Sequence, residues 1–137
     1  MAEQKDLIQN EADGSLSFGD HTLAEKTKLE DFEHGGDLYK VKTFRDITKL
    51  EKNGLFVYES VPGTTVTHFS ETTDGVSCTI KGESDAQITL GLADDTEYEV
   101  FVGDGSVGKM KTNLGGKLAI SLELEDAGEV SLSVKKA

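Results

Sequence analysis

The chain has 137 residues, with 26 acidic against 14 basic side chains and a formal net charge of −12. That length suits a single domain able to bury a core without a disulfide or metal staple. Such negative charge repels nucleic-acid phosphates and anionic membranes, so neither kind of partner is expected.

The lone cysteine, Cys78, excludes an intramolecular disulfide, and a free thiol fits a reducing compartment. Met1 to Asn10 contains no apolar stretch of signal-peptide length, and no run spans a membrane. The expected location is the cytoplasm, or outside the cell for a chain trimmed of a leader.

Residues 1 to 13 are polar and expected to fray, with only Leu7 and Ile8 available to pack. Asp13-Gly14 predicts a turn, followed by a short strand with Leu16 and Phe18 on one face. Thr22 to Phe32 is ambiguous between helix and hairpin spacing, and strand with loop is favoured. Leu38 to Phe44 alternates, with Tyr39, Val41 and Thr43 opposite Lys40 and Lys42. Asn53-Gly54 predicts a type I′ hairpin between Ile47–Lys52 and Leu55–Val61, because both residues accept positive φ. Pro62-Gly63 punctuates the chain, so residues 1–62 are expected to form an N-terminal β subassembly and 63–137 a β-sandwich, although the two need not be separate domains and can make one continuous domain.

Beyond that point Thr64 to Phe69 pairs with Gly75 to Lys81, and five alternating runs come after: Gln87 to Leu92, Glu97 to Val102, Val107 to Thr112, Lys117 to Leu124 and Glu129 to Lys135. In the clearest, Leu118, Ile120, Leu122 and Leu124 lie opposite Ala119, Ser121 and Glu123, the period of a half-buried antiparallel strand. About ten or eleven strands and no helix of consequence point to an all-β antiparallel sandwich or barrel.

Leu92-Ala93-Asp94-Asp95-Thr96-Glu97-Tyr98-Glu99-Val100 resembles the corner leading into the sixth strand of fibronectin type III domains. The resemblance implies a fibronectin- or immunoglobulin-like sandwich from about Thr64 onward. It also implies a structural role for Tyr98, its hydroxyl bonded to upstream backbone and its ring in the core. Asp94 stands where proline is common in that family, and two strands come after the Asp104-Gly105 hairpin where that fold would stop. Thr96 to Leu124, with Gly108, Thr112, Gly116 and Leu118, is similar to accessory β-sandwich modules of bacterial polysaccharide-processing enzymes, which carry no catalytic residues. Gly36 to Thr64, with much of the remaining chain, resembles small bacterial proteins labelled endosialidase. Sialidases grip the sugar carboxylate with an arginine cluster, whereas this chain has one arginine, Arg45, so the resemblance implies kinship rather than an activity.

Gly103-Asp104-Gly105-Ser106-Val107-Gly108 matches G-x-G-x-x-G, but Lys109 to Thr112 reads as a strand, and a dinucleotide site needs a helix N-terminus there. Asp104-Gly105 is therefore expected to be a plain hairpin. His21, His34 and His68 lack zinc-ligand spacing. Asp94 and Asp95 form an acidic loop that a calcium ion would suit, and Asp104 lies roughly 20 Å away by the rise of the intervening strand. The aromatic residues are the better lead: Tyr39, Tyr58 and Phe101 are the candidate stacking platforms for a sugar. No cofactor is implied. The expected function is a non-catalytic binding or assembly module that meets a protein partner or its own copies; a glycan-binding accessory domain and a small glycan-active enzyme are the alternatives.

Overall fold

A computed structural model describes residues 7–103, 105–125 and 127–137. The described residues form thirteen strands and no helix. The strands are β1 (Ile8–Asn10), β2 (Leu16–Phe18), β3 (Thr27–His34), β4 (Asp37–Phe44), β5 (Ile47–Lys52), β6 (Leu55–Val61) and β7 (Thr65–Thr72), then β8 (Gly75–Lys81), β9 (Ala86–Gly91), β10 (Glu97–Val102), β11 (Gly105–Lys111), β12 (Lys117–Leu122) and β13 (Glu129–Lys136). They build two antiparallel sheets packed as a sandwich. One has seven strands in the order β1-β2-β7-β8-β13-β10-β11, and the other six in the order β12-β9-β6-β5-β4-β3.

Alternation decides which side chains enter the core. Tyr39, Val41 and Thr43 of β4 are buried while Lys40 and Lys42 face out. Leu118, Ile120 and Leu122 of β12 are likewise buried. The layers meet around Phe18 of β2, Tyr58 of β6 and Phe69 of β7, whose rings contact edge-to-face at centroid distances of 5.2 to 6.5 Å. Asn53 and Gly54 both have positive φ, 51° and 82°, and join β5 to β6 as a two-residue hairpin. The Asn53 side chain accepts the Leu38 N–H at 2.9 Å, which also ties this turn to the start of β4.

One segment differs from expectation, and another takes the strand-and-loop form favoured for it. Leu7 and Ile8 are buried, and that gain in apolar burial orders β1 against β2 where fraying was expected. The ambiguous Thr22–Phe32 region yields β3, bent by a bulge at Asp31, whose φ is 59°.

Both sheets draw strands from either side of Pro62-Gly63. β2 pairs with β7 in one and β6 with β9 in the other. The Pro62-Gly63 joint is packed: a Cβ on Gly63 would lie 2.0 Å from the Phe44 carbonyl oxygen, and Thr64 is fully buried.

Candidate functional site

On the outer face of the seven-stranded sheet, side chains from four neighbouring strands fall into register. Ser70 of β7 stands opposite Ser77 of β8, Ser77 opposite Ser133 of β13, and Ser133 opposite Phe101 of β10. A second row, Thr67, Thr79 and Ser131, runs beside it. These residues face out because Val76, Cys78 and Ile80, with Leu132 and Val134, take the inward positions of the same strands. The small hydroxyl side chains leave a trough. One depression of about 480 Å³ is walled by Phe101, Asp74 and Lys135. It shares Ser77 and Ser133 with a second of about 340 Å³ that extends to His68 and Gly103. Phe101 is half-buried, so its ring is held by the sheet while part of it stays open to solvent.

The other expected platforms are not on the surface. Tyr58 is fully buried and Tyr39 is only 6% exposed. The Tyr58 hydroxyl pairs with Thr64 Oγ1 at 2.7 Å, and burial pushes its phenol pKa well above the ordinary value. Tyr39 lines a polar cleft of about 210 Å³ between the sheets, beside the Lys52–Glu71 ion pair at 3.0 Å. Its phenol pKa is also raised, chiefly by burial. Their burial has a simple cause: alternation puts Tyr39 and Tyr58 on one face of β4 and β6, and the second sheet covers that face.

Tyr98 is buried, and its hydroxyl accepts the Ala93 backbone N–H at 3.2 Å, closing the Ala93–Thr96 corner from inside the core. Of the acidic loop, Asp95 Oδ1 lies 3.1 Å from Lys111 Nζ. Among the described residues no group of three or more His, Cys, Asp or Glu side chains is placed to hold a metal ion. Asp104 lies outside the described residues, while Gly105 opens β11.

Sequence reasoning missed one constellation, Asp13, Ser15 and His68. Ser15 Oγ donates to Asp13 Oδ1 at 2.5 Å, and His68 Nδ1 lies 3.2 Å from both Ser15 Oγ and Asp13 Oδ2. In a nucleophilic triad the serine meets one ring nitrogen and the carboxylate the other. Here both crowd Nδ1 and the serine proton is committed to Asp13, so Ser15 is not activated. The cluster instead pins the turn before β2 to the bulge of β7, where His68 has a φ of 54°. The Cys78 thiol is buried and its pKa is pushed up to about 12, which keeps it protonated and unreactive. Compared with protein families, with curated proteins and with solved structures, the chain finds no match.

Proposed function

We propose that the protein is a non-catalytic binding module whose ligand is a carbohydrate laid along the outer face of the seven-stranded sheet. The observation that carries this reading is the Phe101 ring standing half-open beside two rows of uncharged hydroxyls. The C–H groups on a pyranose face pack on a π-system. Serine and threonine hydroxyls donate and accept, as sugar hydroxyls do, so the lining meets them in either sense. The trough is broad and shallow, which suits a chain segment passing across it better than a small molecule enclosed by it.

The test is a glycan array probed with the full chain, followed by calorimetric titration of any saccharide retained. Phe101→Ala is expected to weaken binding about tenfold, equivalent to about 1.4 kcal/mol. Ser133→Arg, which fills the trough, is expected to abolish it, with the circular dichroism of both variants unchanged. A blank array, or affinity indifferent to both substitutions, would sink the carbohydrate reading.

A further inference from the structure

Among the described residues two strands end each sheet, and three of those four edges are blunted. β1 is three residues long. β3 is bulged at Asp31, and the β10–β11 ladder slips between Val100 and Phe101 beside Gly108, whose φ is 110°. Short edges and bulges are the devices by which sheets avoid edge-to-edge pairing. β12 carries neither: it pairs with β9 over six residues with no irregularity, and its interior holds no proline and no charge.

The hydrogen bonding of β12 shows which backbone groups it leaves free. Leu92 N–H donates to the Gly116 carbonyl at 2.7 Å, so Gly116 turns its carbonyl toward the β9 side. By antiparallel alternation, Leu118, Ile120 and Leu122 direct their backbone groups to β9, while Lys117, Ala119 and Ser121 direct theirs outward. Asn113 occupies the first outward pair, its Oδ1 accepting the Lys117 N–H at 3.0 Å and its own N–H donating to the Lys117 carbonyl at 3.2 Å. Among the described residues nothing pairs with the outward N–H and C=O of Ala119 and Ser121, both of which are exposed.

We infer that this edge is the interface between two copies of the chain, which pair β12 to β12 about a two-fold axis at Ile120. Three features of the strand select this register. Ala119 faces the partner's Ser121 and Ser121 the partner's Ala119, an arrangement that uses all four outward backbone groups of each copy. Leu118 falls opposite the partner's Leu122, so apolar side chains stay on the core side of the joined sheet. Lys117 and the partner's Glu123 fall at the same end of the joined strands on the outer face, to either side of Asn113, and the reverse holds at the other end, so opposite charges meet there. A register shifted by one residue would set Ala119, on the outer face, against the partner's inward Ile120 or Leu122. The two six-stranded sheets then run on as one sheet across the pair. The sugar-facing trough lies on the other sheet, so this proposal and the carbohydrate reading stand or fall separately.

Light scattering of the full chain after size exclusion, across a dilution series, is expected to give twice the monomer mass, dissociating on dilution. Ala119→Pro removes an outward N–H and leaves the β9 ladder intact, so it is expected to yield a folded monomer. Lys117→Glu and Glu123→Lys, each alone, are expected to weaken the dimer several-fold, and the two together to restore it. These charge reversals are exposed and decide the matter even if the proline variant misfolds. A wild type monomeric throughout the series, or a dimer indifferent to the single reversals, would overturn the inference.

Discussion

Thr48 shows how much a single hydroxyl organises. It donates to the Thr64 carbonyl at 2.7 Å, so it must accept both the Thr64 N–H at 3.0 Å and the Thr43 hydroxyl at 2.8 Å. Thr43 Oγ1 in turn accepts the Asp20 N–H at 2.9 Å, and Thr64 Oγ1 is shared by Tyr58 and Ser60. All of these threonine, serine and tyrosine side chains are fully buried. Each therefore needs its partners, because an unpaired buried polar group costs about 1–3 kcal/mol. Thr48→Val keeps the shape but orphans the Thr64 N–H and the Thr43 hydroxyl. Thermal unfolding followed by circular dichroism is expected to show a loss of about 2–4 kcal/mol, lowering Tm by roughly 10 °C. Thr48→Ser, which keeps the hydroxyl, should recover most of that. Equal damage from both variants would mean that the methyl contact, not the hydrogen bonds, holds the site. Nothing in the sequence distinguishes these threonines from others at inward strand positions, because their partners lie up to 23 residues away.

At the scale of elements, the β1–β2 hairpin is held by polar contacts of its own. Glu11 accepts from the Ser17 hydroxyl and Asp13 from the Ser15 hydroxyl and N–H, and these bonds hold both carboxyl groups below their ordinary pKa values. A pKa depressed by folding contributes stability that is present above the unfolded-state pKa and lost as pH falls through the folded value. The hairpin is therefore expected to be firm at neutral pH and to loosen as the solution is acidified through and below the ordinary carboxylate range. Hydrogen exchange of the β1 and β2 amides, corrected for the intrinsic effect of pH, reads this out. Protection there that falls no faster than in β8 would contradict it. The turn at Asp13-Gly14 is legible in the sequence, but the docking onto β7 is not, since it depends on His68 adopting a left-handed backbone conformation at a bulge.

For the whole molecule, the consequence of the topology is cooperativity. β9 lies between β12 and β6, and β7 between β2 and β8, so strands on either side of Pro62 complete each other's sheets. A fragment of residues 63–137 would lose β6 from the side of β9 and β2 from the side of β7. It would also expose the inward faces of both sheets where Tyr58 and Phe18 had packed. That fragment is expected to be unfolded by circular dichroism and amide NMR, and the intact chain to melt in a single calorimetric transition. A well-dispersed spectrum from the fragment would show the C-terminal strands to be self-sufficient.

Local pattern in the amino-acid order is enough to fix the all-β class, most strand positions, the Asn53-Gly54 turn and the alternating sense of nearly every strand residue. Each of these depends on short-range periodicity or on the φ preference of one or two residues. Which strands share a sheet, which edges are blunted and which aromatic ring stays open are settled only when the chain is folded. Those outcomes depend on pairing between segments far apart in the chain. Tyr39, Tyr58 and Phe101 illustrate the difference: all three sit in alternating strands, but only Phe101 lies on the face that the second sheet does not cover. Alternation separates the two faces of a strand, and it takes the packing of one sheet on the other to say which face becomes the core.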